Sequence, residues 1–169
     1  MTDQHIHQSD TRDSTTGKPL SIPLPAAILG FAGLIPFIVP AAALWLLSSQ
    51  YQFEMATALV AYGAVILSFL GGIRWGLCVH PDSQRITWTE LNASVLPSLA
   101  GWTALLLHWL VNQPIAIILL IFGFLLQYYW DRQAMHNGRI NPWFARLRFY
   151  LSCGATLALL AALVRLMTT

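Results

Sequence analysis

Charged residues are scarce in this chain of 169 residues: Asp, Glu, Lys and Arg make up 9% of it, whereas hydrophobic residues make up 56%. A soluble globular domain carries about 25% charged residues. So few charges cannot cover a water-exposed surface, and the composition therefore predicts an integral membrane protein. The formal net charge of +2 is small, and no RNA-binding motif or basic run is present, which argues against a nucleic-acid partner.

Acidic residues are missing from the middle of every apolar run. After residue 22 the acidic residues are Glu54, Asp82, Glu90 and Asp131, all at run ends or in loops. A proton-coupled pump usually keeps an acidic residue at mid-membrane depth, so an ion pump is disfavoured. Ser-His-Asp arrangements, H-E-x-x-H motifs and P-loops are also absent. We predict no catalytic residue and no cofactor, which disfavours an enzyme without excluding one.

Cysteine and histidine offer little for metal binding. Cys78 and Cys153 lie in or beside apolar runs without a C-x-x-C motif, which predicts buried thiols rather than a disulfide or metal site. His5 and His7 belong to a polar tail and make a very weak metal site. His108 is expected at the outer membrane interface as an amphipathic residue, because no second histidine lies at a matching depth to complete a haem site. We predict no metal centre.

Long apolar runs are what the chain has in abundance. Residues 1–22 are polar, and we expect a disordered tail without a signal peptide, followed by one transmembrane domain over residues 23–169. In lipid the backbone must satisfy its own polar groups, and continuous apolar runs exclude a barrel. The fold class is therefore all-α, an integral membrane bundle of five transmembrane helices, each near the ~20 residues that cross the hydrocarbon core. We place the spans at about residues 24–47, 55–78, 91–111, 115–130 and 147–167.

Local signals mark several helix ends. Thr87 and Glu90 have the spacing of a capping box before the third span. Asn112 and Pro114 suit a cap and a first-turn position, which predicts a tight hairpin between the third and fourth spans. The pair Asn141–Pro142 predicts the start of the fifth helix.

Basic residues are distributed asymmetrically. With five spans, the side that holds the N-terminus has eight of them, and the opposite side has Arg165. The positive-inside bias predicts a cytoplasmic N-terminus and a C-terminus outside. The eight residues are Arg12, Lys18, Arg74, Arg85, Arg132, Arg139, Arg146 and Arg148.

Proline occurs inside two of the spans. Pro36 and Pro40 lie in the first span, where each removes a helix hydrogen bond, so we expect that helix to kink or break. Pro97 is expected to have the same effect in the third span, where it leaves the Ala93 carbonyl without its helical partner. Ser94, Ser98 or a water molecule could satisfy that carbonyl. Broken helices line binding sites in transporters, although membrane helices also tolerate proline without a functional reason.

Small residues recur at helical spacing in the second and fifth spans. They form one stripe on each helix, and small residues let membrane helices approach closely. We predict that both stripes face a helix partner, within this bundle or in another subunit. The stripes are Ala64, Ser68, Gly72 and Gly76 in the second span, and Gly154, Ala158 and Ala162 in the fifth.

A candidate polar cluster lies at the arginine-rich end of the bundle. It comprises Arg74 and His80 after the second span and Gln127 and Asp131 on one face of the fourth. Arg74 either extends to the lipid headgroups or is held inside the bundle. We predict that it pairs with Asp131, with Gln127 one turn deeper. The alternative is a set of unconnected interfacial residues.

Three sequence motifs carry a resemblance to a known family. They cover residues 29–37 (LGFAGLIPF), residues 62–76 (YGAVILSFLGGIRWG), and the pair Asp131–Arg132 followed by residues 142–148 (PWFARLR). Together they make the chain similar to the domain of unknown function 3429 family, small multipass proteins of bacteria with a mitochondrial transmembrane relative in animals. The resemblance implies a location in the bacterial inner membrane and no defined chemistry.

Our functional prediction is a non-enzymatic scaffold or assembly partner of a membrane complex. The small-residue stripes would supply helix–helix contact, and the short loops leave little room for a catalytic domain. The alternative is a binder or carrier of a lipid, quinone or porphyrin-like ligand between the helices, and a membrane enzyme ranks third. The expected partners are the lipid bilayer and either another membrane protein or a second copy of the chain.

Overall fold

The structure is a computed structural model that describes residues 22–79, 88–136 and 141–168, apart from the side chains of Thr89 and His136. The described residues form six α-helices and one 3-10 turn, and they contain no β-strand. Residues 1–21 of the predicted tail, His80 and Thr87 lie outside these residues. The helices are α1 (Leu24–Ala32), α2 (Ile35–Leu46), α3 (Gln52–Cys78), α4 (Trp88–Leu110), α5 (Gln113–His136) and α6 (Pro142–Met167), and the 3-10 turn is Ser49–Tyr51.

Five helical segments in the described part of the chain are long and apolar enough to cross a membrane, which confirms the predicted fold class. The pair α1–α2 makes the first of them, and α3 to α6 make the others. The helix of the fourth segment, α5, continues past Trp130 as a regular helix through Asp131 to His136. The five are Leu24–Leu46, Ser49–Cys78, Glu90–Leu110, Gln113–Met135 and Pro142–Met167.

The first span is broken between α1 and α2, as the prolines predict. The α1 helix ends at Ala32, four residues before Pro36, whose ring would clash with the Ala32 carbonyl in a continuous helix. Pro40 lies inside α2, which continues to Leu46. The Tyr62 hydroxyl of α3 donates to the Gly33 carbonyl at 2.9 Å and so stabilises the break.

The third span behaves differently around its proline. The α4 helix runs through Pro97 without interruption. The Ser94 hydroxyl donates to the Leu91 carbonyl at 2.6 Å and therefore not to the Ala93 carbonyl, for which Ser98 or water stays the prediction. Two other local predictions are confirmed. The Asn112 side-chain oxygen accepts from the Ile115 N–H at 2.9 Å. Asn141 is the N-cap residue of α6, without a side-chain hydrogen bond, and Pro142 follows in the first turn.

The core is shared by α2 to α6, with α3 packed against α2, α4 and α5, and α6 packed against α5 and α2. Because no water lies between lipid and helix, close van der Waals contact rather than the hydrophobic effect holds such helices together. Phe37 of α2 lies at the centre, with its ring centroid 5.0 Å from that of Tyr62 and 5.6 Å from that of Phe124. The fully buried core includes Leu59, Leu67, Ala104, Leu120 and Leu159.

The second-span stripe meets α4 at Ala64. Ala64 is buried, and a Cβ added to Gly101 of α4 would lie 2.8 Å from the Ala64 carbonyl oxygen. Gly72 and Gly76 are exposed, and nothing in the described part of the chain lies within 4 Å of a Cβ added to either. Our prediction for these two glycines is wrong within this bundle, and contact with another subunit stays a prediction.

The glycine that α4 contacts is Gly71. A Cβ added there would lie 2.5 Å from the Ser94 carbonyl oxygen. Helix geometry gives the reason: at about 100° per residue, a position seven residues after Ala64 is rotated by about 20°, whereas one eight residues later is rotated by about 80°. Two packed helices keep contact along the seven-residue spacing. The four-residue stripe therefore turns away from α4.

The fifth-span stripe packs inside the bundle. A Cβ added to Gly154 would lie 2.7 Å from Leu34 at the α1–α2 break. Ala162 is fully buried, and Ala158 packs on the core. This stripe therefore faces helix partners as predicted, and those partners are α2, α5 and the α1–α2 break.

Candidate functional site

A buried polar network lies where α5 and α6 meet near the arginine-rich end. Gln127 and Asp131, four residues apart on α5, are 1% and 7% exposed. The Gln127 amide nitrogen donates to one Asp131 carboxylate oxygen at 3.1 Å. The sequence-based prediction that these two residues share a face, with Gln127 one turn deeper, is confirmed.

The ion-pair partner of Asp131 is Arg148 of α6. The Arg148 Nε donates to the second carboxylate oxygen at 2.9 Å, and Arg148 is 6% exposed. The predicted pairing of Asp131 with Arg74 is wrong. Arg148 is one of the eight basic residues that indicate the orientation, but the packing of α6 on α5 places it in the bundle interior.

The sequence contains a pattern that indicates the burial of Arg148. Its buried neighbours on α6 follow at alternating spacings of four and three residues, which is the period of a helix face. An arginine at the start of such a series lies on the buried face. The series continues through Ser152, Ala155, Leu159 and Ala162.

Arg74 lies beside this network rather than in it. Its guanidinium carbon is 5.1 Å from the centroid of the Trp130 ring on α5, a cation–π arrangement. Its Nε and one terminal nitrogen are buried and have no hydrogen-bond partner among the described residues. Arg74 is thus held by an aromatic face of the bundle. His80, the fourth residue of the predicted cluster, lies outside the described residues.

Several buried polar atoms of the network lack partners. Within the described part of the chain, the Gln127 side-chain oxygen, one Arg148 terminal nitrogen and the Ser152 hydroxyl are buried without a hydrogen bond. Ser152 lies one turn from Arg148 on the same face of α6. Leaving a buried polar group unsatisfied costs about 1–3 kcal/mol. Arg148 and Ser152 also line one cavity, so their unpaired atoms mark a place where a further hydrogen-bonding group fits.

An apolar cavity adjoins the unsatisfied donors. Its volume is about 150 Å³, and Arg148 and Ser152 line it together with residues from α1, α2, α3 and α5. The α1–α2 break contributes Gly33 and Leu34 to its wall, and α5 contributes Phe124. A second cavity of about 270 Å³ lies between α5 and α6, and Arg148 lines that one as well.

A smaller polar contact lies at the opposite end of the bundle. His108 of α4 is 3% exposed, so it is buried in the bundle rather than exposed as an amphipathic belt residue, and its depth near the outer interface stays a prediction. Its Nε2 is 2.7 Å from the Thr57 hydroxyl oxygen, and its ring stacks on Phe53 with centroids 5.1 Å apart. The Thr57 hydroxyl gives its one hydrogen to the Phe53 carbonyl at 2.7 Å. The Nε2 of His108 must therefore carry the hydrogen that joins it to Thr57.

Metal ligands do not cluster in the described residues, which contain no group of three or more His, Cys, Asp or Glu side chains close enough to hold an ion. The predicted burial of both thiols is wrong for Cys153, which is exposed, whereas Cys78 is half-buried. Cys153 follows Ser152 by one residue, and this step of about 100° turns it away from the buried face of α6.

Comparison with known proteins gives a family. Residues 22–164 match the family described as "Protein of unknown function (DUF3429)". The chain is 39% identical over 143 residues to "Transmembrane protein 69" of Xenopus tropicalis, a match that covers 84% of this chain and 54% of the relative. It is 34% identical over 158 residues to "Transmembrane protein 69" of Mus musculus, covering 89% and 60%.

The chain thus spans little more than half the length of these two relatives. No solved structure matches it. The matched region begins just before α1 and ends within α6, so it includes the broken first span and the network of Gln127, Asp131 and Arg148. On this match, and on the five membrane-spanning segments, the chain belongs to the DUF3429 family of membrane proteins of unknown function.

Proposed function

We propose that this protein binds a small, mostly apolar molecule between its helices and has no catalytic role. The observation that carries the proposal is the cavity of about 150 Å³ whose wall combines apolar side chains with Arg148 and Ser152. Both residues keep a buried nitrogen or oxygen without a partner in the described part of the chain. A ligand with a hydrogen-bond acceptor would remove that cost, and its apolar remainder would fill the cavity.

The charge of the site limits the ligand class. Arg148 is already paired with Asp131 at 2.9 Å, so the two together carry no net charge. An anionic ligand placed against Arg148 would bring a second negative charge close to Asp131 inside a low-dielectric bundle, which is strongly unfavourable. An uncharged acceptor, such as a ketone, quinone or ester carbonyl, is not repelled by Asp131. We therefore favour a neutral carbonyl compound.

The cavity volume limits the ligand further. Pockets for drug-sized molecules are about 300–1,000 Å³, and an engineered cavity of about 150 Å³ holds benzene. The present cavity therefore accommodates one ring or a short chain, and its size argues against a porphyrin-like ligand. Of the ligands considered from sequence, a quinone or the ester region of a lipid fits best.

Thermal stability of the purified protein in detergent tests this proposal. We expect an alkyl benzoquinone to raise the melting temperature, and the alkylbenzene and alkyl carboxylate of equal chain length to raise it less. Ser152→Ala removes one donor and should weaken quinone binding by roughly 3- to 10-fold. Quinone binding that equals alkylbenzene binding, or that is unchanged in Ser152→Ala, would contradict the proposal.

Thr156 provides a matched control one turn further along α6. Its hydroxyl oxygen is also buried without a partner among the described residues, but Thr156 does not line the cavity. Thr156→Val removes this hydroxyl and preserves the side-chain shape. We expect it to leave quinone affinity unchanged.

A second candidate function is the scaffold or assembly partner predicted from sequence. The observation that favours it is the open surface of α3 at Gly72 and Gly76, which no described residue covers. Small residues on a lipid-facing surface allow another helix to approach closely. Gly72→Leu should then disrupt association with a co-purifying protein while the isolated protein keeps its melting temperature. A partner retained by Gly72→Leu would argue against this surface.

We propose that the protein lies in the bacterial inner membrane, with its N-terminus in the cytoplasm and its C-terminus outside. The arginine distribution supports the orientation, and the family resemblance supports the membrane. Reporter fusions after Asn137 and at Thr169 test the orientation, because the first should report the cytoplasm and the second the outside. A cytoplasmic C-terminus would contradict the orientation.

A further inference from the structure

The apolar cavity of about 150 Å³ has one side that faces lipid. Two of its lining residues, Leu29 of α1 and Phe69 of α3, are 74% and 63% exposed. Both belong to membrane-spanning segments, so their exposed surfaces contact hydrocarbon rather than water. Arg148 and Ser152, which carry the unpaired polar atoms, are 6% and 7% exposed. The cavity therefore has an apolar mouth towards the lipid and a buried polar floor.

The α1 helix forms one side of this mouth and is weakly attached to the bundle. Its sequence, LPAAILGFA, has no side chain that forms hydrogen bonds or ion pairs, and none of its residues is buried. It packs on α6 at Gly30, where an added Cβ would lie 3.2 Å from a Leu151 methyl carbon and 3.3 Å from a Leu147 methyl carbon. Segments with few buried apolar contacts open at low free-energy cost. A contact between a glycine and two leucines is therefore readily separated and formed again.

The break after α1 separates its motion from that of α2. Pro36 has no N–H to donate to the Ala32 carbonyl, so the hydrogen bonding of a continuous helix is interrupted there. Beyond the break, Phe37 is 2% exposed and fixes α2 in the core. The Tyr62 hydroxyl holds the break itself through its 2.9 Å hydrogen bond to the Gly33 carbonyl. The break thus has the form of a hinge, with α2 as its fixed side.

We propose that α1 is a lateral gate, which turns at this hinge and admits a ligand from the bilayer between Leu29 and Phe69. The ligand class follows from the route. Apart from Arg148 and Ser152 the cavity wall is apolar, so a neutral carbonyl group enters first and ends beside these two residues. A hydrocarbon tail too long for about 150 Å³ stays in the mouth, where it contacts lipid. The occupant is thus a lipid-dissolved carbonyl compound with a hydrocarbon tail.

Joining α1 to α6 tests the gate on the full chain in nanodiscs. In a background of Cys78→Ser and Cys153→Ser, Gly30→Cys and Leu151→Cys are linked by a short bis-methanethiosulfonate, and the intact mass verifies the link. We expect the linked protein to bind and release decyl benzoquinone at least about 10-fold more slowly than the same variant with free thiols, because the gate stays closed. The Kd should change by less than about 3-fold, since the contacts of the bound ligand are the same in both proteins.

A link on the fixed side of the hinge is the matched control. Leu34→Cys and Gly154→Cys join the break to α6 at a point where an added Cβ on Gly154 would lie 2.7 Å from Leu34. This link holds α2 and leaves α1 able to turn. The exchange rates of decyl benzoquinone should therefore stay within about 3-fold of those of the unlinked variant.

Spin labels report the movement of α1 without any ligand. In the same background without native cysteines, EPR spectroscopy of labels at Leu29 and Phe69 should show two distances. Tyr62→Phe should increase the fraction of the longer one, because it removes the hydrogen bond at the hinge. Labels at Phe69 and Leu125, which are exposed on α3 and α5, should show one distance in both proteins because neither helix moves.

These measurements separate the gate from the proposed function, on which the identity of the ligand rests. Equal exchange rates in the linked and unlinked proteins would overturn the gate. A single distance between Leu29 and Phe69 that Tyr62→Phe leaves unchanged would also overturn it. Wild-type protein that binds no decyl benzoquinone would overturn the proposed function and the ligand assignment, and the spin-label distances would then decide the movement of α1 by themselves.

Discussion

The Nε of Arg148 lies 2.9 Å from a carboxylate oxygen of Asp131 and joins α6 to α5 across the interior of the bundle. The two residues are 17 positions apart in the chain, and the α5–α6 connection brings them together at the arginine-rich end. Both are more than nine-tenths buried. An ion pair in this position contributes chiefly by preventing a lone buried charge.

Removing one member of this pair should therefore cost more than removing both. Asp131→Asn or Arg148→Gln alone leaves a buried charge and should lower the free energy of unfolding by about 3–5 kcal/mol. The double variant should be more stable than the sum of the two losses predicts. Denaturation of the purified variants in mixed detergent measures this. Arg74→Gln combined with Asp131→Asn should give additive losses, and additive losses for Arg148 with Asp131 would contradict the pairing.

Substitution by alanine at two neighbouring glycines of α3 should change the stability of the protein in opposite directions. Gly71→Ala places a Cβ 2.5 Å from the Ser94 carbonyl oxygen and should destabilise the protein by about 1–3 kcal/mol. Gly72→Ala meets no described atom within 4 Å. It should be neutral or should stabilise by up to about 1 kcal/mol, because alanine favours the helix. The melting temperatures of this matched pair decide the matter, and equal shifts would mean that α4 does not pack on Gly71.

Thr57 should be required for the placement of His108. Thr57→Val leaves the buried Nε2–H of His108 without its acceptor, which should cost about 1–3 kcal/mol. Thr57→Ser keeps the hydroxyl and should cost less. Unfolding free energies measure both variants. Equal losses for valine and serine would show that the hydroxyl is not what stabilises this contact.

The Tyr62 hydroxyl should control the order of α1. Tyr62→Phe removes the 2.9 Å hydrogen bond to the Gly33 carbonyl at the α1–α2 break. None of the α1 residues is buried, so few other contacts hold this helix. We expect faster hydrogen exchange over residues 24–32, measured by mass spectrometry. Tyr129→Phe, which alters an exposed hydrogen bond with Gln133, should leave α1 unchanged, and the same exchange rate in both variants would count against the role of Tyr62.

Features set by neighbouring residues along the chain could be predicted from sequence. The five spans follow from apolar length, the break from Pro36, the hairpin cap from Asn112, and the Gln127–Asp131 contact from helical spacing. Features that depend on which helices pack against each other could not be predicted from sequence. The partner of Asp131 depends on the packing of α6 against α5, and the sequence-based prediction chose an arginine on α3 because its depth matched.

The same distinction explains the glycines and the histidine. A four-residue stripe is a property of one helix, but contact with α4 follows a seven-residue spacing that selects Gly71 rather than Gly72. His108 is close to the end of α4 in the chain, which favoured an interfacial position. Its burial depends on Thr57 and Phe53 from α3, two residues whose proximity to it is not encoded in local sequence.

The pairing of Asp131 with Arg148 has an electrical consequence for a protein in an energised membrane. A single charge moved across the bilayer changes energy by about 2.3 kcal/mol per 100 mV. The pair has opposite charges within 2.9 Å, so a movement of the two side chains together carries no net charge through the field. Occupancy of the neighbouring cavity by an uncharged ligand should for the same reason be independent of the membrane potential. The buried Asp131–Arg148 pair thus contributes no net charge that the membrane potential could move.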